Sequence, residues 1–307
     1  MKTFLFVLLL ITISVVSSAQ LPTVSSGTIQ RLENFSSQYV TSRNVDVWLP
    51  AGYSPGNRYS VLYMHDGQML FDSTTTWNKQ EWGVDEVISR LLKENKIEEV
   101  IVVGIWNGGV TRQSDYFPQK PFESLRAAQQ DFLYNAGREN GYPVFGDYKI
   151  NSDNYLRFIV SELKPLVDKK YATRPDRDHT FIMGSSMGGL ISVYALCEYP
   201  DIFSGAACLS THWPGIFKME NNPAPDAFAN YLERHLPDPS SHKIYFDFGT
   251  ETLDAMYAPL QKKVDEIMVS NGYTKRSWKT LEFEGEDHSE GAWRKRLDFP
   301  LTFLLGN

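Results

Sequence analysis

Phe181-Ile182-Met183-Gly184-Ser185-Ser186-Met187-Gly188-Gly189-Leu190 is the stretch on which the reading of this chain turns. Thr180 to Met183 is a short apolar run suited to a buried strand, and Leu190 to Leu196 is apolar enough to be a buried helix. Between them lies a G-x-S-x-G pattern centred on Ser186. A serine on so tight a strand-to-helix turn is held proud of the sheet in a strained backbone conformation. Small residues at 184 and 188 let the neighbouring backbone pass without a clash. The pattern is short enough to arise by chance, so the segments around it and the residues downstream must decide its meaning.

The rest of the chain repeats the same rhythm. Thr28 to Phe35 and Tyr39 to Leu49 alternate like paired strands. Tyr59 to Met64 reads as a strand, Gly83 to Glu94 as an amphipathic helix, and Glu99 to Ile105 as a near-continuous apolar strand of a parallel sheet. Asp153 to Lys170 reads as one long amphipathic helix. Strands Ser204 to Leu209, Lys243 to Phe248 and Lys279 to Phe283 follow, with helices at Ala258 to Ser270 and Gly291 to Leu304. Alternating strands and helices predict an α/β fold with a mostly parallel, doubly wound sheet and antiparallel strands at its N-terminal edge. Residues 106–150 break the rhythm. This segment is long, aromatic-rich and without a clear period, and it leaves the carboxyl end of a central strand, where ligands bind in open sheets. It is expected to form a cap or one wall of a substrate cleft; the alternative is that its aromatics pin a surface excursion to the core.

The chain has 307 residues and a formal net charge of -7. Residues 1–19 read as a secretory signal peptide, with Lys2 ahead of a short apolar region and Ser17-Ser18-Ala19 before a cut at Gln20. The apolar run is too short for a stable membrane span. Residues 20–307 are then expected to form a single domain, secreted or periplasmic, with a net charge of -8 once Lys2 is lost. So acidic a surface argues against a nucleic-acid partner. Cys197 and Cys208 could pair after export or remain two packed thiols. No cluster of histidines and carboxylates has metal-ligand spacing, and no cofactor is implied.

A serine hydroxyl becomes a nucleophile only when a base takes its proton and a carboxylate holds that base in the right tautomer. Four histidines follow Ser186: His212, His235, His242 and His288. His288 directly follows a strand and precedes the last helix, the place for a loop histidine reaching over the sheet edge. The carboxylate should follow the strand ending at Phe248, where Asp254 is favoured and Glu251 is the alternative. An oxyanion needs two backbone N–H donors. Met187 at the helix start is one, and Gln68, in the loop His65-Asp66-Gly67-Gln68 after a central strand, is the other.

Gly184-Ser185-Ser186-Met187-Gly188-Gly189, the His65–Gln68 loop, Tyr116-Phe117-Pro118 and Gly285-Glu286-Asp287-His288 together resemble the putative esterase family. That group includes esterase D, the feruloyl and acetylxylan esterases of carbohydrate esterase family one, and the enterochelin esterases. The resemblance runs from Val45 to Leu305 and implies an α/β-hydrolase fold with the order serine, acid, histidine. In the family the acid precedes a glutamine on the next helix, as Asp254 precedes Gln261. It also follows the turn glycine more closely than Asp254 follows Gly249, which keeps Glu251 open. The resemblance further implies that Leu209-Ser210-Thr211-His212-Trp213, at the end of a strand, line the substrate cleft, His212 and Trp213 foremost, with a packing role the alternative for Trp213. Arg112, with Arg138, would suit a catecholate ligand, and Tyr116 falls in a matched motif. The expectation is an exported serine carboxylesterase acting on acyl or feruloyl esters of plant polysaccharide fragments, its partner a small-molecule or oligosaccharide ester. A siderophore trilactone esterase is the alternative, followed by an acyltransferase or a non-catalytic carbohydrate-binding protein.

Overall fold

The computed structural model describes residues 20–138 and 141–306. The proposed signal peptide, residues 1–19, lies outside them. Eight strands form one sheet: β1 (Thr28–Phe35), β2 (Arg43–Leu49), β3 (Ser60–His65), β4 (Val100–Ile105), β5 (Thr180–Ser185), β6 (Gly205–Leu209), β7 (Lys243–Gly249) and β8 (Trp278–Phe283). Their order is β1-β2-β4-β3-β5-β6-β7-β8; the β1-β2 and β2-β4 pairs are antiparallel and the other five are parallel. The chain therefore winds outward from β3 in both directions.

The central strands are apolar on both faces because helices cover both. Val61 and Tyr63 of β3 point into one core with Ile182 and Leu190, while Leu62 and Met64 point into a second core with Met183 and Trp293. This is the period-two alternation of a strand buried on both sides. Helices Met187–Glu198 and Ala258–Ser270 cover the first face; Val84–Lys93 and Asp298–Leu305 cover the second.

Two expectations are corrected in detail. The long helix runs as Ser152–Phe158 and Lys164–Lys170 around a π-helical turn at Ile159–Leu163. Pro165 has no N–H to donate back along the helix and its ring crowds the preceding turn, so the wider turn absorbs the misfit. The last helix is two, Glu290–Arg296 and Asp298–Leu305, with Pro300 in the first turn of the second. Within residues 106–150 lie helices Arg112–Tyr116, Gln119–Glu123 and Ala127–Tyr134. Phe117 packs edge-on against Phe122 and Phe145 and also touches Phe228, so these aromatics pin the excursion to the core. Both cysteines are free thiols.

The loops that leave the carboxyl ends of β3, β5, β6, β7 and β8 gather at one edge of the sheet. The turn after β5 is tight: a Cβ on Gly184 would lie 2.8 Å from the carbonyl of Gly188. Gly184→Ala is therefore expected to force strand and helix apart at a cost of about 1–3 kcal/mol, lowering the melting temperature by several degrees. A thermal melt matching that of the native protein would show that this approach is not a constraint.

Candidate functional site

Ser186 occupies the turn between β5 and helix Met187–Glu198 with φ 56° and ψ -122°, a region L-residues rarely adopt. Two backbone bonds hold it there. Its N–H donates to the Leu209 carbonyl (2.8 Å), and the His212 N–H donates to the Ser186 carbonyl (3.1 Å). Both partners belong to the end of β6, so the neighbouring strand braces the turn. The serine is half-buried. Met187 begins the helix, where the first N–H groups have no intrahelical acceptor.

His288 and Asp254 are brought together by two stitched loops. The Glu286 carbonyl, after β8, accepts the N–H groups of Thr250 (3.0 Å) and Glu251 (3.1 Å), after β7. The His288 N–H donates to Thr252 Oγ1 (3.0 Å). The approach is so close that a Cβ on Gly249 would fall 2.1 Å from the Glu286 oxygen. As a result His288 Nδ1 lies 2.5 Å from Asp254 Oδ1. An ionised carboxylate only accepts, so this nitrogen carries the proton and Nε2 is left with its lone pair. Glu251, the alternative, is exposed and precedes the short 3₁₀ helix Thr252–Met256 that turns Asp254 inward. That turn is also why Asp254 sits farther from Gly249 than the family spacing suggested.

Asp254 has no exposed side-chain surface. Burial alone would push its pKa up, but hydrogen bonds from His288, Ser210 and the Gly249 N–H outweigh it and hold the carboxyl below its ordinary range. Asp247, one strand-end away, goes the other way: burial raises it to about 6 despite Arg296.

The His65–Gln68 loop is fixed by a separate charge cluster. Asp66 takes a bidentate ion pair from Arg112, Nε to Oδ1 and Nη2 to Oδ2, both 2.7 Å, and a bond from Asn107 Nδ2 (2.7 Å). The Asp66 N–H donates to the Tyr116 hydroxyl (3.3 Å). Gln68 sits in the 3₁₀ turn Gly67–Met69, its side-chain oxygen accepting from the Asn107 N–H (3.2 Å). The loop lies against the Ser186 turn, since a Cβ on Gly188 would meet the His65 Cβ at 3.3 Å. Met187 and Gln68 thus belong to two adjoining loops.

Three of the expected cleft residues lie beneath the surface. Tyr116 is wholly buried and supports the Asp66 backbone. Trp213 is 2% exposed, its indole N–H bound to Gln261 Oε1 (2.9 Å) and its ring against Phe246. His212 is buried with Nδ1 2.7 Å from the Tyr257 hydroxyl, and burial drives its pKa down to about 3, so it is neutral. Arg112 keeps an exposed side, about a quarter of its side chain. Arg138 lies over the Phe217 ring. Sequence reasoning missed Asp247, Trp293 and Arg296, and it placed Ser210 in the cleft lining rather than beneath His288. The spacing of Trp293 and Arg296, one helical turn apart just after His288, was the available signal. Among the described residues no group of three or more metal-ligating side chains is placed to hold an ion, and no helix is long and apolar enough to cross a membrane.

Residues 36–304 match the family described as "Putative esterase". The chain belongs to that family. Among curated proteins it is 25% identical to the uncharacterized protein YjcH of Bacillus subtilis, over 58% of this chain and 59% of that one. It is 26% identical to the ferri-bacillibactin esterase BesA of Bacillus subtilis, over 56% of each chain. The matched stretch is thus under two thirds of either relative. Among solved structures a ferulic acid esterase superposes with a TM-score of 0.63 at 18% identity, covering 91% of this chain and 98% of that one. That likeness bears out the α/β-hydrolase fold.

The Asp66 pair has a testable signature. Burial would raise the Asp66 pKa, but Arg112 and Asn107 lower it overall. A depressed carboxylate contributes stability that is complete above its unfolded pKa of about 4 and is lost as pH falls through the lower folded value. Asp66→Asn should cost about 1–3 kcal/mol near neutral pH. In thermal melts the gap to the native protein should close as pH falls below about 4; a gap that stays constant with pH would contradict this.

Proposed function

We propose that the protein is an exported serine esterase that cleaves acyl or feruloyl esters on oligosaccharide fragments, with Ser186, His288 and Asp254 as its reacting set. The observation that carries this reading is His288 fixed through Nδ1 on the buried Asp254 carboxylate, at the same sheet edge as a serine on a strained strand-to-helix turn. His288 Nε2 takes the Ser186 proton as Oγ attacks the ester carbonyl carbon. The resulting oxyanion rests on the N–H groups of Met187 and Gln68. The imidazolium, stabilised by Asp254, gives its proton to the leaving alcohol, leaving an acyl-serine. Water, deprotonated by the same histidine, then releases the acid and restores Ser186.

The substrate class draws on the ferulic acid esterase likeness and on the proposed export of the chain, residues 1–19 being the signal. The similarity to BesA supports the second reading, a catecholate trilactone. Arg112 weakens that alternative, because Nε and Nη2 of its guanidinium are already committed to Asp66.

Hydrolysis of methyl ferulate, acetylated xylan and a catecholate trilactone, measured side by side, tests both levels. Ser186→Ala should abolish turnover of whichever ester is cleaved while leaving the fold intact. Undiminished hydrolysis by this variant would overturn the mechanism, and a trilactone preference would overturn the substrate class. Asp254→Asn should lower kcat by about 10³- to 10⁴-fold, because an amide can donate to Nδ1 and favour the wrong tautomer.

A further inference from the structure

Ser210 follows β6 and takes no part in the reaction as written. It is wholly buried and has a φ of 41°, in the left-handed region that favours glycine. Its hydroxyl meets three groups: Asp254 Oδ2 at 2.5 Å, Arg296 Nη2 at 2.7 Å and Trp293 Nε1 at 2.9 Å. An indole N–H and a guanidinium can only donate. Together they fill both acceptor positions of the hydroxyl, so its single proton has one destination, the Asp254 carboxylate. Oδ2 of that carboxylate also accepts the Gly249 N–H (2.6 Å), which leaves Oδ1 for His288.

The charges around the hub are balanced to match. Arg296 lies closer to Asp247 Oδ1 (3.1 Å) than to Asp254 Oδ2 (3.8 Å). Asp247 itself accepts from the Tyr245 hydroxyl (3.0 Å) and lies 3.3 Å from the Ser210 N–H. Most of the arginine charge is therefore spent on Asp247, and Asp254 keeps its own for an imidazolium. His212 and Tyr257, which also face this pair, contribute a neutral imidazole and a phenol.

We propose that Ser210 is a positioning residue of the esterase reaction: its hydroxyl, aimed by Trp293 and Arg296, locks the Asp254 carboxylate with Oδ1 toward His288. This rests on the Ser186–His288–Asp254 reading. Without the hydroxyl, Asp254 can rotate toward Arg296 and leave the imidazolium without its partner.

Ser210→Gly is the informative variant, because glycine adopts a positive φ without strain while the substitution removes the hydroxyl together with its Cβ. Ser210→Ala serves as a second variant, and active-site titration counts folded enzyme in each. With 4-nitrophenyl acetate as substrate and Ser186→Ala as the blank, kcat per titrated site should fall about 10- to 100-fold, the size of a lost hydrogen bond to a charged group. KM should be unchanged, since the contact acts only as charge forms on His288. The acid limb of the kcat/KM profile should move to lower pH, because an imidazolium deprived of its carboxylate loses its proton more easily. Native kcat and an unmoved acid limb in both variants, with an inactive blank, would reduce Ser210 to packing and overturn the inference alone. Full activity in the blank would overturn the Ser186 reading and this inference with it.

Discussion

Close backbone approach at the carboxyl edge of the sheet is the constraint on which the rest of the structure depends. Ser186 can hold its strained conformation only because Gly184 and Gly188 pass each other without side chains. His288 can reach Asp254 only because Gly249 admits the Glu286 carbonyl. Neither contact arises within one element. The first closes a single strand-to-helix turn and the second joins the loops after β7 and β8; each is braced by backbone hydrogen bonds to a segment distant in sequence. The parallel sheet supplies the register that brings these loops to one edge, and its two apolar faces keep that register from slipping.

The electrostatics follow from the same geometry. Two charge clusters flank the Ser186 turn. On one side Arg112 and Asn107 hold Asp66 and thereby the Gln68 loop. On the other, Asp247, Arg296, Ser210 and Asp254 lie buried beneath His288. Buried charges are costly unless paired and hydrogen-bonded, and here every carboxylate oxygen of Asp66 and Asp254 has a partner. Burial and pairing act in opposite senses on neighbouring acids, so Asp254 stays ionised while Asp247 titrates near 6. A preorganised site of this kind places its dipoles before substrate arrives.

How much of this was legible in the sequence depended on the range of the interaction. The sheet, its parallel core and the positions of Ser186, His288 and Asp254 followed from local period, turn residues and chain order. The aromatics of residues 106–150 did not, because whether a ring faces a cleft or a core is decided by Phe228 and Phe145, far from one another in the chain. Tyr116 misled for the same reason, and Trp213 took the packing alternative: each has a polar handle that suits a cleft, and each spends it on a buried partner. The role of Ser210, read as cleft lining, was not legible because its hydroxyl's three partners come from the loop after β7 and the helix after His288. The π-turn was hidden by an apolar period that Pro165 shifts only locally.

The most direct test of the account is covalent capture. The folded protein, residues 20–307, is treated with a fluorophosphonate ester and the adduct located by peptide mass spectrometry. The account predicts a single adduct, on Ser186, formed much more slowly when Asp254 is asparagine. An adduct on another residue, or none on the folded protein, would contradict it.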